Sequence, residues 1–160
     1  MNALPILAAL VLAATQQAAP KEAPPPAPVV PSVDGLPIGS IPRQELPRKG
    51  CAAYLWTASG TRALVAMATG GGGTDPARLR LSIAGKITDL DRTGQLGAIT
   101  LGFPETTTYA GGGATIKLTL GIEPRSSITD GGAVPEGILQ LDRTGQDSVV
   151  IPVAGLIGCT

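Results

Sequence analysis

The 160-residue sequence has no histidine. That removes the commonest general base and the commonest metal ligand together, so a Ser-His-Asp arrangement is impossible. Aromatic residues are almost as scarce: Tyr54, Trp56, Phe103 and Tyr109 are the whole set. Sugar platforms, single-stranded nucleic-acid grooves and aromatic cages each need several exposed rings, and four barely furnish a core. Net charge is absent as well, with 12 basic side chains against 12 acidic ones. A balanced chain releases few counterions, which argues against nucleic acid and against an anionic membrane surface as partners.

Metal and nucleotide chemistry find little to work with. The nearest carboxylate pair, Asp89 and Asp91, falls well short of a calcium loop. The glycine runs Gly70–Gly73 and Gly111–Gly113 are followed by no Gly-Lys-Ser/Thr, so they read as loop tips rather than phosphate cradles. Ser82 and Lys86 could form a Ser–Lys pair, but both read as water-facing residues on a strand and its exit turn. No Asp or Glu lies within an apolar run that would raise its pKa. The expectation is therefore of no catalytic residue, no cofactor and no metal.

The chain opens with an apolar run, Ala3–Ala14, ending in small residues. Its length suits the core of a signal peptide and is too short for a membrane span of about 20 residues. The run lacks the usual preceding Lys or Arg. Residues 1–19 are read as a signal peptide, with cleavage after Ala13 or nearer Ala19, and the mature chain is expected to have no membrane span. Residues 20–50 then hold nine of the 15 prolines, including Pro24-Pro25-Pro26. Such a stretch favours extended, unpacked conformations, and thirty residues at ~3.1 Å each would reach roughly 90 Å. It is read as a disordered proline-rich linker.

Cysteine use agrees with export. Cys51 and Cys159 stand at opposite ends of the remaining segment, with no Cys-x-x-Cys spacing and no histidine to activate a thiolate. In a secreted chain they read as a disulfide joining the first and last strands of a single domain, residues 51–160. Closing so long a loop stabilises by about 4–5 kcal/mol on the chain-entropy model.

Within that domain the apolar period is two. Arg78–Ile83 alternates strictly, and so does Thr115–Ile122, so each is a half-buried strand. The more uniformly apolar runs Cys51–Trp56, Ala63–Ala68 and Val149–Ile157, the last with one Pro, suit strands covered on both faces or paired late in the fold. Ala98–Leu101 and Ile138–Leu141 are shorter candidates. With glycine-rich connectors and no helical stripe, the reading is all-β: a small antiparallel sandwich or small barrel of about seven to eight strands. A transmembrane barrel fits poorly, because the runs are short and aromatic girdles are missing.

One hexapeptide occurs twice. Leu90-Asp91-Arg92-Thr93-Gly94-Gln95 recurs as Leu141-Asp142-Arg143-Thr144-Gly145-Gln146, with Ile87 and Ile138 also in register. The residues are good turn formers, so the expectation is a hairpin turn used twice, with Gly at the positive-φ position. As contact sites, Asp91, Arg92, Thr93 and Gln95 would act with Asp142, Arg143, Thr144 and Gln146, alongside the Thr-rich stretch Glu105–Tyr109. The functional expectation is an exported module, periplasmic or extracellular, that binds a protein partner and catalyses nothing. The alternatives are a self-assembling structural subunit, and an enzyme that uses carboxylates alone.

Overall fold

A computed structural model describes residues 31–70 and 76–160; the expected signal peptide, residues 20–30 of the linker and Gly71–Gly73 lie outside them. Nine strands follow in order: β1 (Ile38–Gly39), β2 (Cys51–Thr57), β3 (Leu64–Thr69), β4 (Arg78–Ile83), β5 (Lys86–Thr100), β6 (Phe103–Gly111), β7 (Ala114–Pro124), β8 (Gly131–Arg143) and β9 (Val149–Cys159). No helix occurs among the described residues, and none is long and apolar enough to cross a membrane.

From β2 onward each strand pairs antiparallel with the next, and β9 returns to pair with β2. The result is an eight-stranded up-and-down barrel, which settles the choice between barrel and sandwich. Closure removes the open sheet edges that a sandwich keeps. The seam is the β2–β9 ladder, and its first register pair, Cys51 opposite Cys159, carries the disulfide, 108 residues apart in sequence. The expected link between first and last barrel strands is therefore present.

Alternation decides what fills the barrel. Ala53, Ala68, Leu79 and Leu90 form one inward row across β2–β5, and Tyr109, Ile116, Leu141 and Val149 another across β6–β9. Thr107, Leu118, Leu139 and Ile151 form a third. Ala66 and Ala68 on β3 stand beside Leu81 and Leu79 on β4, and Phe103 and Tyr109 of β6 are buried in the same core, a mix of small and large side chains that packs a narrow barrel solid. The interior is a core of buried side chains.

The two-residue hairpins at Ala84-Gly85, Leu101-Gly102 and Gly112-Gly113 hold both central residues at positive φ, the turn whose twist matches paired strands. Leu101 is the costly one, at φ 51° with a branched side chain. Its compensation is packing. The β5–β6 hairpin runs past the end of β4 and folds over that end of the barrel, where Phe103 is buried and Leu101 packs on the core. The close approach needs glycine: a Cβ on Gly132 would lie 2.9 Å from Leu101 Cδ1, and one on Gly70 would lie 3.1 Å from the Gly102 carbonyl oxygen.

The linker reading extends too far. Residues 31–50 belong to the folded unit, because Val33, Ile38 and Ile41 are buried and β1 pairs with β4. Asp34 accepts hydrogen bonds from the Thr61 amide at 2.8 Å and hydroxyl at 2.9 Å, and the Ile41 amide donates to the Leu64 carbonyl at 2.8 Å. The prolines mask three well-spaced apolar anchors. The arm then crosses the outside of the barrel, where Gln44 accepts from Arg80, and enters β2.

Candidate functional site

With the interior filled, any recognition chemistry lies on the outside of the barrel. The two hexapeptide copies come first. Leu90 and Leu141 both point inward and are buried, while Ile87 and Ile138 are both about 40 % exposed, at 41 % and 42 %. Beyond Asp the copies part. The second forms the expected turn: Gly145 has φ 73° and the Gln146 amide donates to the Arg143 carbonyl at 3.1 Å. The first does not. Asp91, Arg92, Thr93, Gly94 and Gln95 run on as part of the 15-residue β5, and Gly94 is absent from the positive-φ residues. The expectation of one turn used twice is corrected here to one turn and one bulged strand.

In the first copy Thr93 is an extra residue, so Arg92 faces Tyr109 and Gly94 faces Thr108. Asp91 pairs with Arg78 across β4–β5 at 3.1 Å. Gln95 faces Thr107 and Leu96 faces Thr106, which sets this copy directly beside the Thr-rich stretch of β6. In the second copy Asp142 accepts from Gln140 at 3.1 Å, Arg143 faces Ala114, and Thr144 and Gln146 lie in the turn. Asp91, Ala110, Thr115 and Asp142 share one outward row, so the copies are three strand spacings apart, about 14 Å. They share a face without touching.

A second bulge shapes that face. Leu96 pairs with Thr106 and Ile99 with Pro104. In a regular strand, residues three apart point to opposite sides; one extra residue puts Leu96 and Ile99 on the same side. That side is outward, where Leu96 is 75 % exposed and Ile99 61 %. Following the ladders from Leu96 gives one row across five strands: Leu96, Thr106, Thr119, Ile138 and Pro152. Thr106 and Thr119 join hydroxyls at 3.1 Å. The neighbouring row is Gly94, Thr108, Lys117, Gln140 and Val150, with Val150 57 % exposed. Four of the exposed large apolar side chains thus share the outer face of β5–β9. Of the two alternatives for the apolar run of β9, cover on both sides fails, because Val150 and Leu156 on its outer side are at least half exposed.

A groove of about 460 Å³ crosses this face, lined by Glu105, Thr119, Glu136, Ile138 and Pro152, with Ala58 and Val153 at one end. Glycine keeps its floor low. A Cβ on Gly121 would meet Glu136 Cγ at 3.2 Å, and one on Gly137 would press Leu120 and Val153 at 3.1 and 3.2 Å. Among the described residues no cluster of His, Cys, Asp and Glu could hold a metal ion.

Elsewhere on the surface the described residues form three ion pairs, Arg78–Asp91, Arg80–Asp89 and Arg125–Glu123. Arg80 holds Asp89 through a 2.7 Å hydrogen bond, which lowers the Asp89 carboxyl below its usual range. Inside, burial pushes the Tyr109 phenol up to about 12, against a partial opposing pull from the Thr107 hydroxyl and the Arg92 charge. Tyr54 is also raised by burial, and its hydroxyl and that of Ser82 are buried without a hydrogen-bond partner among the described residues.

The chain is thus a small, closed, side-chain-filled barrel with a five-stranded outer face of mixed threonine and apolar residues. No family model, curated protein or solved structure matches it.

Proposed function

We propose that the chain is an exported, non-catalytic protein-interaction module that works in the periplasm or outside the cell, with the outer face of β5–β9 as its contact surface. One observation carries the reading: Leu96, Ile99, Ile138 and Val150 are all exposed on one face, assembled from three strands, β5, β8 and β9. Exposed apolar side chains scattered singly need no account, but a shared face of them marks an interaction site. The disulfide supports an oxidising compartment, and the packed interior leaves no lumen for a small-molecule cargo.

The test is crosslinking capture in the native organism, with protein carrying its own leader. The triple variant Leu96→Lys, Ile138→Lys, Val150→Lys should lose a partner that wild type enriches, while its melting temperature moves little because all three sites are exposed. Equal capture by both would remove this face from consideration.

A self-assembling subunit has one observation in its favour. Beyond Asp91, whose neighbour Arg92 still bonds Ala77, β5 is held by β6 alone among the described residues, leaving an edge at 93–99. Two bulges within that edge work against it, since bulges interrupt the regular ladder a second copy would need. Sedimentation across a hundredfold concentration range separates the readings, with a monomer throughout expected for the interaction module.

A further inference from the structure

We infer that the groove across β6–β9 takes an extended segment of the partner that carries a lysine or arginine between apolar residues, an inference that rests on the interaction reading above. The argument is charge complementarity. Asp89, Asp91 and Glu123 on the barrel surface each hold an arginine. Glu105 and Glu136, the two carboxylates of the groove, have no ion-pair or hydrogen-bond partner among the described residues. No cation lines the groove; Lys117 lies on the neighbouring row, opposite Gln140. The rest of the lining is apolar or hydroxyl: Ile138, Pro152 and Thr119.

Such walls match a side chain with an apolar stem and a cationic head, the stem against Ile138 and Pro152 and the head between the carboxylates. From Glu105 on β6 to Pro152 on β9 the groove crosses three strand spacings, about 14 Å, which is roughly four residues of extended chain and within reach of a six-residue peptide. Because the groove runs across the strands, the occupant lies on the face by its side chains and adds no strand to the sheet.

Three six-residue peptides, acetylated and amidated, test this with the disulfide-intact protein. They alternate valine with lysine, with glutamate or with threonine. The lysine peptide should bind at least tenfold tighter than the glutamate peptide, weaken with added salt, and shift the amide resonances of Thr119, Gly121, Glu136 and Ile138. The variant Glu105→Gln, Glu136→Gln should weaken it at least fivefold at unchanged melting temperature. Equal binding of the lysine and glutamate peptides, no binding of either, shifts on another face, or indifference to the double glutamine variant would each overturn the inference. Capture in the organism keeps the two proposals apart. If the glutamine variant still captures the partner and the Leu96, Ile138, Val150 variant does not, the cationic segment is wrong and the interaction face stands.

Discussion

The same six residues, Leu-Asp-Arg-Thr-Gly-Gln, make a strand at 90–95 and a turn at 141–146. As far as Asp the copies behave alike: the isoleucine three residues before points out, the leucine points in. The divergence begins at Thr-Gly. After the first copy come Leu96–Thr100, and β6 lies alongside, with Thr108 and Thr107 opposite Gly94 and Gln95 and Thr106, Pro104 and Phe103 opposite Leu96, Ile99 and Thr100. After the second come Asp147 and Ser148, with Gln140 bridging Asp142 and the Ser148 hydroxyl at 3.1 Å each. A turn-prone hexapeptide is thus overruled where a partner strand offers a ladder, at the expense of one bulged residue, and obeyed where none does. Local preference is worth a few tenths to one kcal/mol per residue, less than the hydrogen bonds and apolar contacts a tertiary neighbour supplies.

If the inward leucine is the element the copies share, truncating either should cost the same. Leu90→Ala and Leu141→Ala each open a cavity in a packed barrel, and each should lose about 2–5 kcal/mol in denaturant unfolding with the slope unchanged. A difference between them of more than about 2 kcal/mol would mean that the conformation after the leucine, and not the interior position, sets the value of the repeat.

The surroundings can be separated next by pH. Only the first copy's arginine faces a buried phenol, since Arg92 is opposite Tyr109 and Arg143 is opposite Ala114. An unfolded tyrosine ionises near 10, and the folded Tyr109 near 12. The proton is held more tightly in the folded state, so stability present below pH 10 is lost as pH rises from 10 to 12, on the order of 2–3 kcal/mol. Tyr109→Phe should flatten that part of the stability-against-pH curve relative to wild type, leaving the parallel contribution from other high-pH groups. An unchanged slope would show that the phenol ionises while buried or is reached by water.

How much of this was legible follows from which rules are local. The alternation in Arg78–Ile83 and Thr115–Ile122 names two strands and their inward faces without help, because a half-buried strand writes its period into the chain. The disulfide was legible from two cysteines and their positions. The buried anchors of the arm were not: Val33, Ile38 and Ile41 sit among prolines, and no local period announces that they dock on β3 and β4. The outer face was the least legible. Leu96 and Ile99 share a side only because of a bulge, and the row Leu96–Thr106–Thr119–Ile138–Pro152 exists only once four ladders are in register. The Thr-rich stretch from Glu105 was singled out from composition, yet its neighbour Glu136 lay thirty residues on with nothing in the chain to join them. The one signal available was β9, where Val150 and Pro152 fall on positions that should have been polar if that face met water.

The smallest effect makes the sharpest distinction between the copies, because its sign differs. Gly145 sits at φ 73° with nothing within 4 Å of a Cβ placed on it, so Gly145→Ala brings strain and no clash, and should destabilise by about 1 kcal/mol. Gly94 is free of positive φ, and a Cβ there would rest 3.7 Å from Thr108 Cβ, an ordinary contact. Gly94→Ala removes unfolded-chain entropy and adds a methyl against β6, so it should be neutral or stabilise by up to about 1 kcal/mol. Thermal unfolding of the two variants side by side reads both. Destabilisation of the same size at both would mean that Gly94 also needs the left-handed region in solution. The first copy would then be a second turn, and the pairing of Gly94 and Gln95 with Thr108 and Thr107 would be lost.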